Sequence, residues 1–311
     1  MVTSFPCMYS NPKLYASKAG SYYHLRIGNL SVTLGFVLPV VAEVFRNQSG
    51  WALDDSAHPR TLTLTEGDDE PSRSLAVARS VSAVREAGHF KVLKKWRDEL
   101  KPVYGQNNEL LFSVERSACP LLGVVTYGIQ MTAFMPGKDD ELRVWVQRRA
   151  KTKSTYPGIL DNTAAGGIQT GEQPFECMVR EAEEEASLSS DIVRPRVKSV
   201  GSVSYFHIRD ERAGGETGLL QPEIQYVYDC ELPKGVVPRP CDDEVEAFEL
   251  LSVDQVKDSL QRREFKPDYT PVILDFLIRH GIINDRNEPE YLDLVQRLHR
   301  RLEFPTKQTW K

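Results

Sequence analysis

The sequence predicts an α/β (α+β) protein, with a mixed sheet carrying helices on both sides and a smaller α+β unit ahead of it. Three observations lead there. At 311 residues the chain exceeds the length at which one hydrophobic core usually stops growing, so two units are expected. Segments of period-two alternation recur on both sides of a helical segment near residue 180, and further helical segments close the chain. Hydrophobic residues make up 41% and charged residues 27%, the ordinary balance of a chain that buries a core.

Taken in order, residues 1–20 read as an irregular start, interrupted by Pro6 and Pro12. No acid precedes Glu43, whereas Lys13, Lys18 and Arg26 are present. An acid-poor start is one mark of a transit peptide, but the Arg-rich amphipathic pattern is missing. A cytoplasmic location is therefore expected, with a mitochondrial address as the alternative. Residues 21–120 read as an α+β unit of unassigned role. It begins with a strand over Tyr22–Ile27, a short helix over Val40–Phe45, a loop over Trp51–Pro59 and a strand over Arg60–Thr65. After an acidic loop over Glu66–Ser72, Val77, Val81 and Val84 share one face of a helix over Leu75–Ala87. A second helix is expected over Phe90–Leu100, its Lys91, Lys94, Lys95, Arg97 and nearby Lys101 forming a solvated basic face. A strand over Leu110–Glu115 ends the unit, and the boundary falls near Ser117–Leu122.

Residues 121–311 then give strands over Val124–Met135 and Leu142–Gln147, and a basic loop with Arg148, Arg149, Lys151 and Lys153. Beyond the central helix come strands near Val197–Ile208, Gln225–Leu232 and Val245–Leu251. Helices follow over Val253–Arg262, Val272–His280 and Glu290–Leu302, the middle one apolar nearly all round and so buried.

Composition excludes several functions. A formal net charge of −5 argues against a dedicated nucleic-acid binder. No stretch reaches the length of a membrane-spanning helix. Five widely spaced cysteines without CxxC argue against structural zinc and for reduced thiols. Oligomeric state leaves no sequence mark.

The chain is organised around 166–188, GGIQTGEQPFECMVREAEEEASL. A Gly166-Gly167 turn is expected to open it, and Pro174 stands where proline suits a first helical turn. Phe175, Val179, Ala182 and Ala186 make an apolar face, while Glu181, Glu184 and Glu185 crowd another. Like charges at contact spacing repel by about 0.2–0.5 kcal/mol per pair in water. A hard divalent cation would turn that repulsion into attraction, because Mg²⁺ prefers carboxylate, phosphate and water oxygens. Arg180 can pair along the helix and hold the cluster in register.

The full spacing is Gly166, five residues, Glu172, seven residues, Arg180-Glu181, two residues, Glu184-Glu185. This resembles the signature of the Nudix hydrolases. Two positions depart from it: Ser187 stands where the family has Gly, and Ala182 where it prefers a bulky aliphatic. The resemblance implies an α/β/α sandwich and Mg²⁺, with Mn²⁺ as substitute, held by Glu181, Glu184, Glu185 and the Gly166 carbonyl. It gives Gly167 and Glu172 structural roles and assigns Arg180 to the catalytic group. An acid outside the signature often completes such sites, and Glu244 or Glu246 is the candidate. Arg148, Arg149, Lys151 and Lys153 are the candidate phosphate clamp.

Outside the signature, YPGILDNTAAGG, FSVERSACPLLGVVTYGIQM, DDEVEAFELL and FKPDYTPVILDFLIRHG resemble a plant and fungal Nudix subfamily related to thiamin pyrophosphokinase-fused proteins. That likeness implies hydrolysis of damaged (oxo or oxy) thiamin diphosphate to the monophosphate. Clean-up of 8-oxo-dGDP or another nucleoside diphosphate is the enzymatic alternative. A Nudix-fold binding module without catalysis is the alternative from another class.

Overall fold

A computed structural model of the chain describes residues 12–28, 30–137, 141–153, 155–241 and 243–310. Most of the expected irregular start, residues 1–11, lies outside them. Pro12 does not interrupt the chain but opens a helix, α1 (Pro12–Ala19), consistent with proline's tolerance in a first turn.

A four-stranded sheet follows, in the order β2-β1-β4-β3. Its strands are β1 (Tyr23–Ile27), β2 (Gly35–Val37), β3 (Trp51–Asp54) and β4 (Thr61–Leu64). Strand β3 replaces the loop expected over Trp51–Pro59, because it pairs antiparallel with β4 and buries Trp51. Helices α2 (Pro39–Arg46) and α3 (Glu70–Glu86) pack on this sheet through Val41, Phe45, Val77, Val81 and Val84. Helix α3 starts earlier than expected, since Asp69 and Ser72 close a reciprocal capping box.

No helix spans Phe90–Leu100. Only a 3₁₀ turn forms over Lys91–Lys95, the backbone extends at Trp96, and Asp98 has a φ of 57°. The Glu216 carboxylate accepts from the Lys91 and Val92 N–H groups and so satisfies them outside a helix. Leu100 belongs instead to a hairpin of β5 (Leu100–Tyr104) and β6 (Leu110–Glu115), which a short helix α4 (Cys119–Leu122) follows.

The larger sheet has seven strands: β7 (Thr126–Pro136), β8 (Leu142–Arg149), β9 (Leu160–Asp161), β10 (Ala164–Gly167), β11 (Val197–Ile208), β12 (Leu220–Glu231) and β13 (Val245–Ser252). The main order is β11-β12-β7-β8-β13, with β10 on β7 and β9 on β8. It is mixed, as expected: β12 runs parallel to β7 and the other pairs are antiparallel. Side chains alternate across it. Tyr127, Ile129, Met131 and Trp145 face helix α5 (Pro174–Ala186), which buries Cys177, Met178, Val179, Ala182 and Ala186 against them. Val144, Val146, Val203 and Val227 face the other way. After the short α6 (Ser190–Val193), helices α7 (Val253–Gln261) and α8 (Thr270–Arg279) cover that second face through Val256, Val272, Ile273, Phe276 and Leu277. Helix α9 (Tyr291–Leu298) closes the set. Helices on both faces of a mixed sheet make the α/β/α sandwich. Among the described residues no helix is long and apolar enough to cross a membrane.

Candidate active site

Helix α5 carries the acids. Pro174 opens it, and Cys177 is fully buried, as a packing residue would be. The helix ends in a left-handed cap: the Ser187 N–H donates to the Glu183 carbonyl at 3.2 Å and the Leu188 N–H to the Ala182 carbonyl at 3.1 Å. Ser187 takes the left-handed conformation, φ 52° and ψ 30°, in which glycine is usual. Its Oγ donates to the Arg239 carbonyl at 3.0 Å.

Arg180 is the hub. Its Nε donates to Glu172 Oε1 at 2.9 Å, and one terminal nitrogen donates to both Glu181 Oε1 and Glu184 Oε2, each at 2.8 Å. Glu172 in turn accepts from the Gln169 N–H at 3.0 Å, which braces the turn before the helix. Burial raises the Glu181 carboxyl above the ordinary range, against the opposing charges of Arg180 and Arg116.

Glu185 turns toward the sheet. Its Oε2 accepts from the Ala165 N–H at 2.9 Å and from Gln147 Nε2 at 3.3 Å. Burial, with the Glu181 charge adding, pushes its carboxyl up to about 8. Gly166 and Gly167 do not form the expected turn. They lie in β10, held antiparallel on β7 opposite Ile129 and Gly128. A β-carbon on Gly166 would stand 2.0 Å from Glu181 Oε1, so the glycine makes room for the carboxylate.

Three acids on one helix face against a single arginine form a hard-oxygen donor set short of positive charge, which suits Mg²⁺ in kind. They are not drawn together as they stand. Among the described residues no three His, Cys, Asp or Glu side chains form a group ready to hold a metal. Arg180 takes the charge-balancing place between Glu181 and Glu184, while Glu185 is hydrogen-bonded to β10.

The structure redirects the basic stretch. Arg148 and Arg149 belong to strand β8, not to a loop. Arg148 donates to Glu249 at 2.7 Å and to the Gly158 carbonyl at 3.0 Å. Arg149 donates to Asp161 and to the carbonyls of Thr155 and Tyr156. These guanidinium groups hold the β8–β9 connection, so the expected clamp is not assembled from them. Lys151 is 82% exposed and lies 3.7 Å from Glu246. Lys153 is ion-paired with Glu244, whose carboxyl stays below the ordinary range because that pairing outweighs burial. The Lys153 charge also acts on Glu185, opposing the upward push of its burial.

Other cations line a cleft beside β10. A cleft of about 250 Å³ opens beside Ala165, Gly166 and Gly167, and Lys95, Arg97, Lys101, Arg116, Arg209 and Lys266 are among the residues lining it. The sequence places Lys95, Arg97 and Lys101 on an expected solvated face, and nothing in their spacing singles them out. Lys101 is in fact buried. Its Nζ donates to the Gly167 carbonyl at 2.7 Å and pairs with Glu99 at 3.1 Å. The next turn is moored to the same hairpin: the Thr170 N–H donates to the Leu100 carbonyl at 2.9 Å, and Thr170 Oγ1 donates to Ser113 Oγ at 3.0 Å.

The chain is similar to several known proteins. Residues 129–276 match the NUDIX domain family, and residues 33–126 match a domain of unknown function, DUF4743. An uncharacterised Saccharomyces cerevisiae protein, YJR142W, is 35% identical over 98% of this chain and 90% of its own length. Nudix hydrolase 20, chloroplastic, of Arabidopsis thaliana is 37% identical over 74% of this chain, which spans 58% of that relative's length. A crystal structure of DR0079 from Deinococcus radiodurans is similar at a TM-score of 0.40 and 17% identity, covering 53% of this chain and 91% of its own.

Proposed function

We propose, from the premise that this chain carries a Nudix hydrolase domain over residues 129–276, that it hydrolyses a phosphoric anhydride, converting an organic diphosphate to the monophosphate and phosphate. The observation that carries this reading is the convergence of Glu172, Glu181 and Glu184 on Arg180, with Glu185 beside them against β10. Glu181, Glu184, Glu185 and the Gly166 carbonyl would hold Mg²⁺ or Mn²⁺. A bound divalent ion supplies charge neutralisation at the phosphoryl oxygens and a lowered pKa for the attacking water.

The protein's own groups do the positioning. Arg180 keeps Glu181 and Glu184 in register, and Glu172 fixes Arg180. Glu244, held by Lys153, is the acid outside the signature that completes the site. Arg116, paired with Glu99 at 3.0 Å, lines the cleft together with Gly166 and adds positive charge there.

The substrate we propose is damaged thiamin diphosphate, on the sequence likeness described above. The test compares kcat/KM with Mg²⁺ for oxo- and oxythiamin diphosphate, intact thiamin diphosphate and 8-oxo-dGDP. At least tenfold preference for the damaged thiamin forms is expected. Equal or absent turnover of them removes the substrate assignment, and preference for 8-oxo-dGDP transfers it to nucleotide clean-up.

A further inference from the structure

We infer that Lys101, on the hairpin of the N-terminal unit, is a positioning residue of the hydrolase site: its ammonium fixes the end of β10 from the side opposite Glu181. The inference rests on the hydrolase reading above and gives the unit that matches DUF4743 a part in the same site.

Strand β10 ends in two glycines, and each leaves its side-chain space to a group from elsewhere. Successive residues of a strand point to opposite faces. On one face the Glu181 carboxylate takes the space of a Gly166 side chain. On the other, a β-carbon at Gly167 would stand 2.7 Å from Lys101 Nζ and 3.2 Å from its Cε. A strand end without side chains can be held only through its backbone. The peptide joining Gly167 to Ile168 is held at both ends: its carbonyl accepts from Lys101 Nζ at 2.7 Å, and its N–H donates to the Tyr127 carbonyl at 2.9 Å. It directly follows the peptide that carries the Gly166 carbonyl. Both are planar, so a shift at Lys101 reaches that carbonyl across the two dihedral angles of one residue.

Stability does not account for an ammonium in this place. Only 3% of the Lys101 side chain is exposed, and burial pushes its pKa down, with the Arg116 charge adding. Lysine is seldom buried so fully, and apolar residues of similar volume often replace buried ion pairs without loss of stability. Glu99 does not depend on Lys101 alone, because its carboxylate also accepts from Arg116 at 3.0 and 3.1 Å. What an apolar side chain cannot supply is a donor to the Gly167 carbonyl. So little exposure also keeps the ammonium from meeting a phosphate directly. Lys101 acts through the backbone of β10.

The test uses the full chain and reads Mn²⁺ affinity by electron paramagnetic resonance, melting temperature and, with oxythiamin diphosphate, kcat and KM. Groups that orient metal ligands typically matter by about 10–100-fold in affinity or activity. Lys101→Met is therefore expected to weaken Mn²⁺ binding and to lower kcat, each by about tenfold or more, with KM within about threefold. Removing a positive charge would by itself strengthen cation binding, so weakening reports a lost arrangement and not a lost charge. Ser80→Ala is the control for stability alone. It breaks a buried bond within the same N-terminal unit, from Trp51 Nε1 to Ser80 Oγ at 2.9 Å. It should lower the melting temperature and leave Mn²⁺ affinity and kcat within twofold. Losses below tenfold in folded Lys101→Met, or equal losses in Ser80→Ala, overturn the inference. Should Lys101→Met fail to fold, Lys101→Gln, one atom shorter, is read against the same limits. A parent chain that binds no Mn²⁺ overturns this inference and the proposed function together. A parent that binds Mn²⁺ and hydrolyses, with Lys101→Met matching it, refutes only this inference. A parent that binds Mn²⁺ but hydrolyses no diphosphate, with affinity lost in Lys101→Met, refutes only the proposed function.

Discussion

Gly166 and Glu181 share a space that holds one or the other's extra atoms but not both. A β-carbon at 166 would lie 2.0 Å from Glu181 Oε1 and 2.4 Å from its Cγ. Gly166→Ala is therefore expected to displace the Glu181 carboxylate, lowering kcat by at least about 100-fold, or roughly 2.7 kcal/mol in the barrier. The stability loss should stay within about 1–3 kcal/mol, the usual cost of overpacking. Steady-state kinetics beside a denaturant melt checks both numbers.

Replacing Glu184 or Glu185 by Gln keeps shape and removes one negative charge. Each variant is expected to lose at least about 100-fold in kcat, in line with the several kcal/mol that metal-assisted charge stabilisation provides. Mg²⁺ should raise the melting temperature of the parent protein and raise it much less in either variant. Chelation with EDTA should abolish turnover. A pure binding module would instead keep its ligand affinity in both variants.

Arg149 separates a brace from a clamp. Its guanidinium lies 3.0 Å from Asp161 Oδ2, and both side chains are nearly inaccessible. Removing one partner of a buried pair costs about 3–5 kcal/mol. Arg149→Ala should lower stability by that order and leave KM within twofold at a temperature where the variant stays folded. A large rise in KM at unchanged stability would return Arg149 to the phosphate clamp.

Ser187 pits backbone strain against a hydrogen bond. The left-handed conformation costs a non-glycine residue about 1–2 kcal/mol. Its bond to the Arg239 carbonyl returns about 0.5–1.5 kcal/mol, toward the low end because the residue is exposed. Ser187→Gly should thus be neutral to slightly stabilising. Ser187→Ala keeps the strain and loses the bond, so it should melt lower than either.

Asp229 sets an acid limit. Burial would raise its carboxyl, but hydrogen bonds from His280 and Arg279 outweigh that and hold it below the ordinary value. A depressed folded pKa means its stabilisation is present at neutral pH and is lost as pH falls below about 4. Asp229→Asn should be less stable than the parent at pH 7, with the gap narrowing on acidification. Urea melts between pH 7 and 3 test the slope.

Much of the site was legible because α5 states its role twice, in an apolar face and in an acid spacing that needs a cation. The sandwich was legible for a similar reason, since alternation in β7, β8 and β11–β13 survives in sequence. What escaped notice lacks a local signal. Ala164–Gly167 is strand only because β7 pairs with it, as alanine and glycine have little strand preference. Strand β5 was hidden by Lys101, a buried ammonium inside an otherwise apolar pattern. The cleft gathers Arg97, Ser117, His207 and Asp268 from separate segments across residues 97–268, and no spacing rule joins them.

The bonds from Lys101 to Gly167, from Thr170 to Leu100 and from Thr170 to Ser113 fasten the entrance of the acid helix to a hairpin that lies ahead of the matched NUDIX stretch. Portability is what this forfeits. A graft of residues 129–276 into another scaffold would carry every letter of the motif and leave its anchorage behind, so the shortest transferable cassette has to begin upstream of Leu100.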